Sequence, residues 1–568
     1  MRLTISTVLL LLAAATACSD STYTLEVIHL NDTHSNLLAS GLGLHPEGCG
    51  EGFRVPAGSV ARNAFEIAGA RLESDNVIFL HAGDLVQGTL FYTVYRGAAD
   101  AAVYNLLQPD VMALGNHEFD RGSRGLSDLL DQLLFPVVCA NLDLSGDSLL
   151  AGRVPPCAVL ERGGRRIGVI GLLTEELQSI SSPSAETVLL PLAETAQRMV
   201  DSLGDAGVDI IVLLTHIGYG NDLRLASELT GVDLIVGGHS HTLLGDFQGL
   251  GMDPGGSYPT VVSGADGSDV LVVQAWRYGQ VLGRISLDLD GEGKVTGYSG
   301  SPVILTGEPF LSLSRDTLSG TGLEDVLAAI SQEPLVELEE EDMLVAATVE
   351  SYAEAIEDLE EEPVATAPEP LPHVRVPDGS LPQGSMIAPL VCDAMIWKAR
   401  ELGIGADIAL QNAGGVRIDV PRGEITIGTV YRLLPFSNTL AVLDLTGSQV
   451  RQMLENALAD IFDRGLSDGA FPYVGGMRYR ASMAGAAGSR ITELQVIGDD
   501  STWVDMEPDA EYRLVTNSFV AGGGDGYSML SGRPYTDTGF TDTEVFLEYL
   551  RMMGSAGPDS QRVFLDRQ

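Results

Sequence analysis

Gly115-Asn116-His117-Glu118-Phe119-Asp120 places an amide, an imidazole and a carboxylate within five residues, directly after an apolar run at 111–114 that reads as a short strand. Asn116 can offer a neutral oxygen to a metal. His117 can give a proton or hydrogen bond to an oxygen in a transition state. Asp120 can orient and charge-stabilise that imidazole. Glu118 reads as a local cap or salt-bridge partner.

Working outward, further apolar runs at 25–30, 77–81, 167–172, 210–214 and 234–236 alternate with helical patterns, an α/β signature. All but the run at 167–172 lead at once into Gly, Asp, Asn or His, and sites in such folds lie at the C-terminal ends of strands. After the first comes Asn31-Asp32-Thr33-His34, where alternate residues of an extended chain bring a carboxylate and an imidazole to one side. His81-Ala82-Gly83-Asp84 follows the second. Its glycine permits a tight turn, and the two oxygens of Asp84 can bridge two cations, while His81 reads as a core residue. Thr215-His216 and Gly237-Gly238-His239-Ser240-His241 end the last two runs, so five of the nine histidines fall in strand-end motifs.

With Asp32-x-His34, Gly83-Asp84, Gly115-Asn116-His117-Glu118, His216 and Gly238-His239-x-His241 in this order, the chain resembles the calcineurin-like metallophosphoesterases. The resemblance implies a four-layer α/β/β/α domain over residues 24–310. In it Asp32, His34, Asp84 and His241 hold one divalent metal, Asp84, Asn116, His216 and His239 hold a second, and His117 and Asp120 are catalytic. Two such cations activate water and stabilise a phosphoryl transition state. Ligation by N and O without thiolate suits Zn, Mn, Co or Fe.

The C-terminal half carries Asn412-Ala413-Gly414-Gly415-Val416-Arg417, Leu434-Pro435-Phe436-Ser437-Asn438 and Asn517-Ser518-Phe519-Val520-Ala521-Gly522-Gly523-Gly524-Asp525-Gly526-Tyr527, which resemble the 5'-nucleotidase C-terminal domain. This implies a mixed α/β nucleotide-binding domain at 374–568, joined by a linker helix and lead-in at 311–373. Phe436 and Phe519 can sandwich a base, whose π face is offered whatever its identity. Asp525 can accept from ribose hydroxyls, and Arg417 and Asn412 can position phosphate or sugar oxygens. Where the family has Asn-x-Gly-Asn-Leu this chain has Ser385-Met386-Ile387-Ala388-Pro389-Leu390, and Leu381-Pro382-Gln383 stands where an arginine is common. The phosphate grip then falls to Arg417 and the metals.

Length and composition agree with this reading. The 568 residues exceed what one core usually supports, and 45% hydrophobic with 20% charged residues is ordinary globular composition. With 78 acidic against 33 basic residues, a net charge of -45 disfavours nucleic-acid polymers and anionic membranes as partners. Met1, Arg2, an apolar run at 8–15 and small residues up to Cys18 read as a signal peptide, and Ala15-Thr16-Ala17-Cys18 resembles a lipobox, which implies an exported, periplasmic or envelope protein anchored through acylated Cys18, the alternative being plain secretion. Cys139 and Cys157 can pair or stay reduced. The acid-rich stretch 337–342 reads as a solvated helix face, with the helical pattern clear at 353–360.

The expectation is an exported phosphohydrolase acting on nucleotides. The alternatives are a UDP-sugar hydrolase, a 2',3'-cyclic phosphodiesterase/3'-nucleotidase, a thiosulfohydrolase, or a nucleotide-binding protein without turnover.

Overall fold

The computed structural model describes residues 23–566 apart from 47–51, 182, 292, 314–315, 380, 437, 465–467, 499–501 and 558–560. The leader, Cys18 and Cys49 lie outside the described residues. Two six-stranded sheets face each other in the N-terminal half. The first runs Val295–Ser299, Gly283–Leu289, Tyr23–Leu30, Val77–His81, Val111–Ala113, Val137–Val138; the second runs Thr260–Ser263, Asp269–Val273, Leu234–Val236, Ile210–His216, Arg165–Leu173, Cys157–Arg162. Between them lies a dry core in which Val27, Ile78, Leu80, Val169, Val212, Leu214 and Val236 are buried. Each such side chain contributes roughly 1.5–3 kcal/mol of transfer free energy.

Helices complete the sandwich. Leu192–Asp205 buries Leu192, Thr195, Ala196, Val200 and Leu203, a spacing that lines one helical face, and with Tyr219–Glu228 it covers the second sheet. Val60–Glu73 and Ala98–Leu107 cover the first. This is the expected four-layer α/β/β/α arrangement. The central strands of both sheets are parallel, so their C-terminal ends share one edge.

Residues expected to begin the linker instead extend this half. Leu311–Ser312 pairs with Phe53–Ala57, and Val336–Leu338 runs parallel to Ile304–Thr306 in a third sheet. Phe310, Val326, Ile330, Leu335 and Val336 pack there against Phe53 and Val55. The acidic stretch at 337–342 is not a helix face. Asp342 caps the helix Met343–Glu360 by accepting from Leu344 N–H and Val345 N–H, both at 2.9 Å, and Glu341 takes a salt bridge from Arg62 at 3.2 Å.

That helix is fastened to the N-terminal half, where Tyr95 O–H donates to Tyr352 C=O at 2.8 Å and the two rings meet edge-on. Immediately after it, Pro363–Ala367 pairs with Gly423–Thr426 of the C-terminal half. There a five-stranded sheet runs Pro472–Gly475, Ile408–Asn412, Glu511–Asn517, Thr439–Thr446, Thr536–Thr541, with a four-stranded sheet beside it. Cys139, Cys157 and Cys392 are free thiols, so the possible Cys139–Cys157 bridge is not formed.

Candidate functional site

The shared strand edge gathers every metal residue expected from the sequence. Asp32 and His34 follow Tyr23–Leu30, Asp84 follows Val77–His81, Asn116 follows Val111–Ala113, His216 ends Ile210–His216, and His239 and His241 follow Leu234–Val236. Asp32, His34 and His241 offer ligand atoms within 4.8 Å of one another, and so do Asp84, His216 and His239. A third such group joins His34 and Asp84 to His117.

Individual distances show the convergence. Asp32 Oδ1 lies 3.4 Å from His241 Nε2 and 3.9 Å from both His34 Nε2 and His216 Nε2. Asp84 Oδ2 lies 2.9 Å from His216 Nε2 and 3.8 Å from His34 Nε2. His239 Nδ1 is 3.0 Å from Asn116 Oδ1. His216 Nδ1 donates to Ala82 C=O at 2.7 Å, which orients the ring and leaves Nε2 buried and facing Asp84. Nε2 atoms of His34 and His241 face each other at 2.9 Å. Lone pairs crowded with buried carboxylates fit divalent cations, because alone they repel and with a cation they all become ligands.

Close approach is built into the backbone. Asp32, His34, Asp84, His239 and His241 have φ of 50°, 49°, 53°, 77° and 49°, and with Asp525 they make six of the twelve non-glycine residues of positive φ among the described residues. Each costs about 1–2 kcal/mol, so strain is concentrated where the ligands sit. Gly83, at φ +88°, lets Asp84 turn inward; a Cβ there would stand 2.7 Å from His216 Nδ1.

Around the centre, His117 Nδ1 donates to Asp120 Oδ2 at 2.6 Å, and Ser181 O–H donates to Asp120 Oδ1 at 2.8 Å. Burial pulls the His117 imidazole down, but Asp120 and Asp84 outweigh it and lift it to about 10. Glu118 is the expected cap: its oxygens accept from N–H of Gly115 at 2.6 Å, Leu85 at 2.9 Å and Asp84 at 3.2 Å, tying the second and third loops together. His81 is buried in the strand, 3.0 Å from Thr33 Oγ1, as expected of a core residue. Two contributors were missed. Asn31 donates to Asp32 Oδ2 at 2.6 Å and to Trp276 C=O at 2.7 Å, and Ser181 braces Asp120 from 61 residues away.

The C-terminal residues form a second, contiguous surface. Arg417 lies over the Phe436 ring at 5.5 Å and donates to Gly414 C=O at 3.1 Å. Asn412 Nδ2 donates to Asp525 Oδ2 at 2.8 Å, and Gly524 beside Asp525 lies against the Phe519 ring. Phe436 and Phe519 are 43% and 47% exposed, unusual for rings placed merely to fill a core. Ser385 bonds His373 Nδ1 at 2.8 Å and accepts from Ala388 N–H at 3.1 Å, so the altered segment holds the helix Ala388–Glu401 in place. None of the clamp residues lines the cavity at the metal residues.

Residues 25–243 match the calcineurin-like phosphoesterase family and 363–532 the 5'-nucleotidase C-terminal domain. A probable 5'-nucleotidase of Treponema pallidum is 36% identical over 93% of this chain and 92% of its own. The chain belongs to the 5'-nucleotidase family. As such it is a metal-dependent phosphohydrolase. Among solved structures of the family, NAD nucleotidase of Haemophilus influenzae superposes with a TM-score of 0.80 at 30% identity, covering 96% of this chain and 100% of that one. The 5'-nucleotidase precursor of Thermus thermophilus has the same coverage, with 37% identity but a TM-score of only 0.59. No helix among the described residues of this family member is long and apolar enough to cross a membrane.

Proposed function

We propose that this protein removes phosphate from nucleotides outside the cytoplasm, with chemistry at a two-cation centre in the N-terminal half and selection by the clamp in the C-terminal half. The observation that carries the reading is the convergence of Asp32, His34, Asp84, Asn116, His216, His239 and His241 from both sheets on one edge, with Asp84 grouped both with His216 and His239 and with His34 and His117. Asp32, His34, Asp84 and His241 would hold one divalent cation, and Asp84, Asn116, His216 and His239 the other. When bound, the pair supplies a water of lowered pKa and Lewis acidity toward the phosphoryl oxygens.

The chain's own groups do the rest. His117 donates a hydrogen bond or proton to an oxygen that gains charge, while Asp120 holds its Nδ1 and Ser181 holds Asp120. Phe436 and Phe519 grip the base by stacking, which tolerates any base. Asp525 and Asn412 take ribose hydroxyls, and Arg417 takes sugar or phosphate oxygens. No clamp residue lines the cavity at the centre, and we infer that the domains rotate about the junction between Glu360 and Pro363. In support, the relative closer in sequence superposes less well, as rigid domains set at different angles would.

We read residues 1–18 as a signal peptide with acylation at Cys18. A second reading, cleavage of a dinucleotide, draws support from the 0.80 superposition on an NAD nucleotidase. Purified protein lacking residues 1–18 should release phosphate from nucleoside 5'-monophosphates, lose that activity to a chelator and recover it with Mn, Co or Zn. Preference for NAD, UDP-sugars, 3'-nucleotides or cyclic nucleotides would move the substrate; inertness toward all of them would leave a binding protein.

A further inference from the structure

The cavity at the metal residues has a wall from the other domain. Asp84, Asn116, His117, His239 and His241 line it on one side, and Thr439, Asp537 and Gly539 on the other. It measures about 10 Å³, room for roughly one water and far too little for a phosphate ester. Gly539 has φ +72° and lies so close to His117 that a Cβ there would stand 2.5 Å from Cε1 and 2.8 Å from Nε2. Asp537 is held in place: Oδ2 accepts from Thr439 O–H at 2.7 Å and Oδ1 from Gly539 N–H at 2.9 Å. Beyond the turn, Gln87, on the loop that carries Asp84, donates from Nε2 to Glu544, which also accepts from Thr541 O–H at 3.0 Å. Thr93 and Tyr431 hydroxyls meet at 3.3 Å nearby.

We propose that residues 536–544 form a cap, built into the chain, that competes with substrate for the metal centre, with the Asp537 carboxylate standing on ground the substrate phosphate needs. With one hydrogen bond on each oxygen, the Asp537 carboxylate lining the cavity still has acceptor capacity, and it offers bound cations the same atom type and charge sign as a phosphate oxygen. Glu544 fastens the cap to the loop of Asp84. Substrate binding then requires uncapping, so the apparent affinity is reduced by the fraction of molecules that are capped. The cap also shields bound metal from solvent.

This inference rests on the phosphohydrolase reading of the same centre. Asp537→Asn removes the charge but keeps partners for Thr439 and Gly539, and Gln87→Ala cuts the fastening from the opposite domain. Both are compared with wild type as the metal-loaded chain, by KM and kcat on the nucleotide it hydrolyses best and by the rate at which excess chelator strips the metal. In both variants KM should fall about three- to tenfold with kcat within about twofold, and stripping should be at least about threefold faster. Unchanged KM and stripping rate in both would overturn the cap. A raised KM with lowered kcat in Asp537→Asn would also overturn it, making Asp537 a substrate contact. If wild type hydrolysed no nucleotide, the functional reading would fail while the stripping rates still judged the cap.

Discussion

His117 and Asp120 sit three residues apart in one helical turn, bonded at 2.6 Å, and this is the pair proposed to serve the reacting oxygen. His117→Ala should lower kcat by about two to four orders of magnitude with bound metal unchanged, measured by phosphate release beside elemental analysis. Unchanged turnover would remove its assigned role. Asn31 acts one step back, aiming Asp32 through its side-chain amide. Asn31→Ala should weaken metal binding about 10- to 100-fold, read by titration of apo protein, with little change in kcat at saturating metal. The pair was legible in the sequence because both members share a motif. Asn31 looked like any polar strand end, and Ser181 has no local signal, since what recruits it is the fold bringing it to Asp120.

Strand-end loops are the elements that build the centre, and Glu118 is the brace between two of them. Its buried carboxylate accepts from backbone N–H groups of Asp84, Leu85 and Gly115. Glu118→Ala would leave those donors without a partner and should destabilise the N-terminal half by about 3–5 kcal/mol, seen as an earlier calorimetric transition. A variant that melted with wild type would show that the loops hold themselves. The parallel strands were readable as apolar runs because both their faces are buried. The third sheet was not: Leu311–Ser312 and Val336–Leu338 are two and three residues long, too short for periodicity, and they are ordered by packing on Phe53 and Val55. The left-handed backbone at five metal residues was equally hidden, since Asp and His do not announce positive φ as glycine does.

At the scale of the whole molecule, we propose a division of labour between a centre that acts on the phosphoester and a clamp that recognises the nucleoside. On that proposal the two meet when the domains move, and the cap of residues 536–544 covers the centre when they do not. The altered segment around Ser385 fits this division, because in this chain it supports a helix, and the proposed recognition rests on Arg417, Phe436, Phe519 and Asp525. The most direct measurement is kcat/KM for a nucleoside 5'-monophosphate and for p-nitrophenyl phosphate, in wild type and in the double variant Phe436→Ala/Phe519→Ala. Stacking worth about 1–3 kcal/mol per ring predicts a loss of about 30-fold or more for the nucleotide, with the small ester unaffected. Equal loss for both substrates, or none for either, would contradict the account.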